Sequence, residues 1–246
     1  MADYRTHLAV STLTGIGYGA AGFVLGDMPL PTCVLAAGLC SVAGMGPDLD
    51  SGPGKPLRES MAFAAAVIPM MLVPHFRQQG FGYESIILAS AGLYLLIRFV
   101  LAELLRLYTV HRGMFHSIPA VLIAGQLAFL IASGETVGIR AFKAGGFALG
   151  YLSHLVLDEI WAVRWHRGRW HFKSSFGTAL KLFGRGWWPN LSAFGKLAVV
   201  TALVLMQSDV STMLSDRARQ LTGEKSTAVD HVATDPSPPP PTVIWR

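Results

Sequence analysis

The longest apolar run in the sequence is ESIILASAGLYLLIRFVLAELLRL, residues 84–107, which carries Arg98 and Glu103 inside it. A helix needs about 20 mainly apolar residues to cross roughly 30 Å of bilayer hydrocarbon, and this run is long enough to do so. The run therefore predicts a transmembrane helix, and the rest of the chain can be compared with it.

Five further apolar runs lie on either side of this one, and a shorter run follows them. The five are residues 7–26, 31–46, 60–76, 117–133 and 140–161, and the shorter one is 191–206, which contains Lys196. We expect six transmembrane helices, and seven if the last run also spans. Arg5 and the first run also fit a secretory signal, but the run is rich in Gly and Thr and lacks a clear cleavage motif, which favours a retained helix.

The composition also indicates a membrane protein. Hydrophobic residues make up 52% of the 246 residues and charged residues only 14%, against about 25% charged residues in an average soluble domain. The mean hydropathy is +0.44. So much apolar surface excludes a disordered chain, and two cysteines, Cys33 and Cys40, both inside an apolar run, exclude a disulfide scaffold. We predict an all-α, polytopic integral membrane helical bundle with a disordered C-terminal tail.

Beyond the predicted bundle of residues 1–160, the sequence divides into three segments. Residues 161–190 are basic and Trp-rich and contain no acidic residue, which is typical of a segment lying on a membrane surface. Nucleic-acid binding by this segment is the alternative, but its position after a membrane helix favours lipid. His166 and His171 are interpreted as surface residues. Residues 191–206 are the last predicted span, and the Pro-rich residues 207–246 are the predicted flexible tail.

Small residues recur at helical spacing in the first and sixth runs. In the first run they are Ser11, Gly15, Gly19, Gly22 and Gly26. Such a face lets a neighbouring helix approach closely within a membrane. His7 lies one turn before Ser11, so we predict that it points into the bundle. In the sixth run the residues at intervals of four are Gly146, Gly150, His154 and Asp158.

Seven ionisable residues lie at or near the ends of the predicted helices, where a charge in a membrane is costly and usually functional. They are His7, Asp48, Asp50, His111, His116, His154 and Asp158. Because successive helices cross the membrane in opposite directions, all seven fall on the same side. We therefore predict that they cluster there.

Each motif has a simpler interpretation when it is taken alone. A His154-x-x-x-Asp158 pair can place two ligands on one metal, but more often forms a local hydrogen-bonded pair. Aspartates at positions 48 and 50 are typical of a turn. HRGMFHS, residues 111–117, fits a basic loop that ends in a serine N-cap. Together, three Asp and four His exceed the four ligands of a structural zinc site, so two metals, or one metal with acid-base residues, would account for them.

These segments resemble those of the YdjM-like family of LexA-binding, inner-membrane-associated metal-dependent hydrolases. The resemblance rests on Thr6-His7, PDLD at 47–50, HRGMFHS at 111–117 and GYLSHLVLD at 150–158, in the family's order. It implies a multi-pass protein of a bacterial-type inner (plasma) membrane with a His/Asp metal centre in residues 1–160. Ser51 stands where the family often has His, and Phe115 where it has Thr. The sequence contains no recognisable LexA-binding segment.

The resemblance implies a membrane-bound metal-dependent hydrolase, and the basic residues around the motifs favour a phosphoester or lipid-linked substrate. We expect the seven ionisable residues to bind one or two divalent ions (Zn, Mn or Mg), with Asp50, His116 and Arg112 in catalytic roles. The expected partners are membrane lipid and a lipid phosphate, not nucleic acid. Two alternatives stay open: a divalent-cation transporter, which would place His and Asp near the membrane midplane, and a non-catalytic scaffold.

Lys and Arg are unevenly divided between the two sides of the predicted bundle. The motif side carries Arg5, Lys55, Arg58, Arg106, Arg112, Arg164, Arg167, Arg169, Lys173, Lys181 and Arg185, and the opposite loops carry Arg77, Arg140 and Lys143. Cytoplasmic loops are enriched in both residue types, so we predict that the motif side faces the cytoplasm. The basic residues of these loops account for the net charge of +5, so this charge need not indicate binding to nucleic acid.

Overall fold

A computed structural model describes residues 3–50, 55–108, 114–166, 169–172, 177–184 and 186–222 of the chain. The helices are α1 Tyr4–Leu25, α2 Leu30–Ala43, α3 Lys55–Gln78, α4 Tyr83–Leu95, α5 Ala102–Tyr108, α6 Ile118–Ile131, α7 Val137–Ala162, α8 Trp187–Leu205 and α9 Ser208–Thr222. A 3-10 turn, Pro47–Asp50, follows α2, and a π-helix, Leu96–Leu101, joins α4 to α5. Strands β1 Val163–His166 and β2 Arg169–Phe172 pair antiparallel. Apart from this hairpin, the described residues confirm the predicted all-α class.

Four helical stretches among the described residues are long and apolar enough to cross a membrane. They are Tyr4–Leu25, Leu57–Gln78, Tyr83–Arg106 and Trp187–Leu205. Helices α2 and α6 are apolar but have 14 residues each, so each is about 21 Å long and shorter than the hydrocarbon layer. Helix α7 has 26 residues, which is long enough, but it carries four charged side chains. Transmembrane helices are thus confirmed, and the count of six or seven stays a prediction.

Glycines allow α2 to pack in backbone contact with α1 on one side and α7 on the other. A Cβ atom at Gly15 would lie 2.5 Å from the Ala37 carbonyl oxygen, and one at Gly150 would overlap the carbonyl oxygen of Cys40. Helices in a membrane associate through such close packing because lipid offers no hydrophobic driving force. The predicted small-residue face of α1 is confirmed as far as Gly22, since the buried residues of the helix are His7, Ser11, Gly15, Gly19 and Gly22, whereas Gly26 follows the helix and is exposed.

Apolar side chains fill the remaining space between the helices. One cluster joins α2, α6 and α7, and its buried members are Ala43, Val121, Tyr151 and Leu155. Another joins α3 to the π-helix through Leu57, Met61, Ala65 and Ile97. The first cluster lies beside the small-residue face of α7, so it holds the end of that helix that carries His154 and Asp158.

Two buried cations near the start of α7 bind the carboxyl end of α6. Lys143 Nζ donates to the Ser133 carbonyl at 2.6 Å, and Arg140 Nε donates to the Ala132 carbonyl at 3.1 Å. Cations at this position stabilise the partial negative charge of a helix carboxyl end. These charges therefore have a structural role far along α7 from His154 and Asp158.

Helix α9 lies at the start of residues 207–246, the segment predicted to be a flexible tail. Its apolar residues, Val210, Met213, Leu214 and Leu221, recur at helical spacing on one face. The polar composition of the segment obscured this short amphipathic pattern. The Pro-rich part of the predicted tail lies outside the described residues. The described residues from Met206 onwards belong to a second unit, separate from residues 1–205.

Candidate metal centre

Five of the seven ionisable residues predicted to cluster lie together in the structure. They come from two helices and two connecting segments: His7 from α1, Asp48 from the 3-10 turn, His116 from the segment before α6, and His154 and Asp158 from α7. All except Asp48 are buried. Segments far apart in the sequence therefore place three imidazoles and two carboxylates at one point of the bundle.

The nitrogen and oxygen atoms of these side chains face one another at short range. Asp158 Oδ1 lies 3.4 Å from His7 Nε2. Asp158 Oδ2 lies 3.9 Å from the Nε2 atoms of His116 and His154. Asp48 Oδ1 lies 3.6 Å from His154 Nε2 and 3.8 Å from His116 Nε2. Asp158 thus faces all three histidines, and Asp48 faces His116 and His154.

The rings of the histidines also pack against each other. His7 and His154 stack with their centroids 3.7 Å apart and their planes inclined by 14°. The His116 ring meets His154 edge to face, with a centroid distance of 5.6 Å. The three rings are thus close enough to face one ion, and imidazole in its neutral form is an ordinary metal ligand.

A hydrogen bond fixes the orientation of His154. Its Nδ1 lies 2.7 Å from the carbonyl oxygen of Gly44. A carbonyl oxygen only accepts, so Nδ1 carries the hydrogen and the lone pair of a neutral ring lies on Nε2. That Nε2 atom is buried and has no hydrogen-bond partner in the described part of the chain. A lone pair that faces two carboxylate groups in this way calls for a cation between them.

The first turn of α1 is held by the residues around the Thr6-His7 motif. Asp3 caps the helix by accepting hydrogen bonds from the Thr6 amide, at 3.0 Å, and from the Thr6 hydroxyl. The hydroxyl bond is the main cause that holds the pKa of Asp3 below its usual value. The cap fixes where α1 begins and thereby the direction in which His7 points. This role of Asp3 was not predicted from the sequence, although Asp is one of the preferred N-cap residues.

Tyr151 ties both connecting segments to α7. Its hydroxyl donates to the Phe115 carbonyl at 2.8 Å, next to His116. Its ring packs on Gly46, where a Cβ atom would lie 2.8 Å from the ring. Ser117 then caps α6, as predicted, by accepting a hydrogen bond from the Ala120 amide at 3.3 Å. Tyr151 lies inside the GYLSHLVLD motif, but its spacing gave no indication of these contacts.

The donor set fits a divalent metal ion. Two overlapping groups of ligand atoms lie within 4.8 Å of one another: His7 with His154 and Asp158, and Asp48 with His116 and His154. A tetrahedral ion with ligands at 2.0–2.1 Å separates neighbouring ligand atoms by about 3.4 Å, close to the 3.4–3.9 Å observed. Imidazole nitrogen and carboxylate oxygen are both ordinary ligands of such ions.

Three of the predicted site residues are not placed by the described structure. His111 and Arg112 lie outside the described residues. Asp50 ends the 3-10 turn, but its side chain is not described. The catalytic roles predicted for Asp50, His116 and Arg112 therefore stay predictions, and so do those of His111 and Asp50 as ligands.

The family relationship of the chain extends over both the helices and the candidate metal centre. No curated protein and no solved structure matches the chain. The profile of the YdjM inner membrane protein family matches residues 1–206, which include α1 to α8 and all five clustered side chains. Because this match covers far more than half of the chain, the protein belongs to the YdjM inner membrane protein family.

Proposed function

We propose that this protein is a membrane-bound metal-dependent hydrolase that cleaves a phosphoester carried by a lipid. The observation that carries the proposal is the convergence of three imidazoles and two carboxylates at the ends of apolar helices. Burying so many ionisable groups is costly unless they are paired or bind an ion. A site of this kind in a membrane is therefore more consistent with function than with stability alone.

The proposed ligands of the ion are the five clustered residues, His7, Asp48, His116, His154 and Asp158. A set with three imidazoles favours zinc, manganese or another transition ion over magnesium, which prefers oxygen ligands and water. When bound, the ion would supply Lewis acidity that activates water and polarises a phosphoryl oxygen.

Asp48 is the member of the cluster that a substrate would meet first. Its side chain is 18% exposed, whereas that of Asp158 is 5% exposed. Asp48 would therefore hold the ion on the substrate side, and we assign the proton transfer to Asp50 in the same turn. The Asp50 carboxylate takes a proton from the attacking water, the water oxygen bonds to phosphorus, the bond from phosphorus to the lipid oxygen breaks, and the proton passes to that oxygen. His116 remains the further acid-base residue of the proposal, and Arg112 its phosphate clamp.

The segment after the β-hairpin supports a lipid-borne substrate. Glu159, next to Asp158, accepts hydrogen bonds from the amides of Gly177 and Ala179. The Ile118 amide, two residues after His116, donates to the Lys181 carbonyl at 3.0 Å. The segment is thereby tied to the helices beside the cluster.

The same segment and the start of α8 expose large apolar side chains. They are Leu180, Leu182, Phe183, Trp187 and Trp188. Tryptophan at the end of an apolar helix is typical of the interface between lipid and water. A site beside such a surface is accessible to a substrate that stays in the membrane. The proposed orientation, with this side towards the cytoplasm, rests on the distribution of Lys and Arg.

The position of the cluster argues against the transporter alternative. His7 lies in the first turn of α1, and Asp158 lies four residues before the end of α7. A transport site is expected near the middle of the membrane on broken helices. The cluster is at helix ends, where hydrolysis with access to water is the better-supported function.

Metal content tests the proposal directly. The protein is purified in detergent without chelator, and bound metal is measured by plasma mass spectrometry for the native chain and for His154→Ala and Asp158→Asn. His75→Ala is the matched control, because His75 lies in the last turn of α3 and outside the cluster. Phosphate release from phosphatidic acid in mixed micelles is measured on the same samples.

We expect at least one divalent ion per native chain, its loss in both cluster variants and its retention in His75→Ala. Phosphate release should depend on that ion. A native protein that is free of metal would contradict the metal centre and favour the scaffold alternative. Bound metal without hydrolysis of any phospholipid tested, but with metal uptake into proteoliposomes, would favour transport.

A further inference from the structure

Gly44, whose carbonyl oxygen accepts the hydrogen bond of His154, is also in close contact with α1. Gly44 ends α2, and Ser11 of α1 lies directly against it: a Cβ atom at position 44 would overlap both the Cβ and the Oγ of Ser11. Only the side chain of Ser11 therefore separates the backbones of the two residues, and there is no room for a side chain at position 44. Helix α1 thus limits how far the Gly44 end of α2 can move.

Hydrogen bonds of hydroxyl groups also join this end of α2 to α1. Ser11 Oγ donates to the Ser41 carbonyl at 2.7 Å, and the hydroxyls of Thr12 and Ser41 are 2.6 Å apart. Ser11 is fully buried. Hydrogen bonds of this kind between helices persist in a membrane because the alternative for each hydroxyl is an unsatisfied position in hydrocarbon. The last turn of α2 is therefore fixed on α1.

We propose that the Gly44–Ser11 contact is a positioning contact that sets the tautomer of His154. With the Gly44 carbonyl in place, the hydrogen of the ring is held on Nδ1 and the lone pair on Nε2 faces Asp48 and Asp158. Ser11 and Gly44 act through His154 and touch none of the reacting atoms. The consequence for catalysis rests on the proposed function, but the orientation of the ring does not.

The short distance between Gly44 and Ser11 allows the contact to be tested by substitution. Gly44→Ala would bring atoms into overlap, and reaching an ordinary contact of about 3.5 Å requires a movement of about 1 Å. A movement of that size in either direction takes the 2.7 Å hydrogen bond out of the range in which it stabilises one tautomer. Ser11→Gly removes the two atoms that the new methyl group would overlap and leaves only the Ser41 carbonyl oxygen, at 3.3 Å, so the double variant should relieve most of the overlap.

The tautomer is measured first, in the metal-free native protein, from the imidazole nitrogen chemical shifts of a sample labelled with 15N-histidine. His154→Asn identifies the His154 signals by their absence. The same spectra are recorded for Gly44→Ala and for Gly44→Ala with Ser11→Gly. Gly38→Ala is the matched control, since it lies in the same helix and its Cβ would meet nothing within 4 Å. Zinc affinity is measured for each variant by titration.

We expect the Nδ1–H tautomer in the native protein and in Gly38→Ala, loss of that single tautomer in Gly44→Ala, and its return in the double variant. Zinc affinity should fall by about 10–100-fold in Gly44→Ala, as expected when the partner of a ligating histidine is lost, and recover with the tautomer. An Nε2–H ring in the native protein would overturn the proposal, as would an unchanged spectrum in Gly44→Ala. A native protein with the expected tautomer and no zinc binding would instead contradict the proposed function.

Discussion

The closest backbone approach of α7 to α2 is at Gly150, and Gly150→Ala is the sharpest test of how the fold supports the cluster. The new Cβ would lie 2.7 Å from the Cys40 carbonyl carbon as well as overlapping its oxygen. Carbon atoms in ordinary contact are about 3.5 Å apart, so the helices must separate by at least about 0.8 Å. His154 lies one turn after Gly150 on the same face, and its 2.7 Å bond to Gly44 would lengthen to about 3.5 Å.

Overpacking of this kind costs about 1–3 kcal/mol of the free energy of unfolding. In a chain of this size, about 2 kcal/mol corresponds to a decrease in Tm of roughly 4–8 °C. Gly195→Ala is the control, because it lies inside α8 and its Cβ would meet nothing within 4 Å. Thermal unfolding in detergent and metal content are measured for both variants. If Gly150→Ala keeps the Tm and the bound metal of the control, the close contact of α2 and α7 does not support the cluster.

Three further predictions concern other parts of the molecule. Lys143→Met leaves the Ser133 carbonyl without its buried donor and should lower the free energy of unfolding by about 1–3 kcal/mol, measured by thermal unfolding, with metal content unchanged. Ser117→Ala removes the N-cap of α6 beside the segment with His116, which should cost about 1 kcal/mol and weaken metal binding; equal affinity would show that this segment is held without the cap. If the motif side is cytoplasmic, an impermeant maleimide applied to intact cells should label Gln79→Cys but not Arg58→Cys, and the reverse pattern would invert the topology.

The apolar runs were sufficient to predict where most helices lie. The predicted run 84–107 corresponds to the continuous helical stretch from Tyr83 to Tyr108, and the run 7–26 corresponds to α1. These predictions succeed because length and apolarity are the properties that a bilayer selects. The π-helix at Leu96–Leu101 could not be predicted in the same way, since a helix that is apolar on all sides has no periodicity to reveal one inserted residue.

The side chains of the cluster could be predicted in part for a different reason. Successive helices cross the membrane in opposite directions, so the order of the helices alone predicts that His7, Asp48 and Asp158 lie on one side. It does not predict the distances between them. The hydrogen bond from His154 to the Gly44 carbonyl could not be predicted in this way, because every residue has a carbonyl and the sequence does not distinguish that of Gly44. The contacts of Tyr151 were missed likewise, since they depend on where two connecting segments lie in space.

The distances between the ligand atoms of the cluster and the distances between the helices both depend on the glycines where the helices meet. Ligand atoms of one tetrahedral ion are separated by about 3.4 Å, so the observed 3.4–3.9 Å leaves little room for movement. In a membrane, no hydrophobic effect draws helices together, and their separation is set by the contacts that small residues allow. Gly150 sets the distance from α7 to α2, and Gly44 sets the distance from α2 to α1. A displacement of about 1 Å at either glycine would move His154 out of range of its partners, so we expect both glycines to affect metal binding although neither is a ligand.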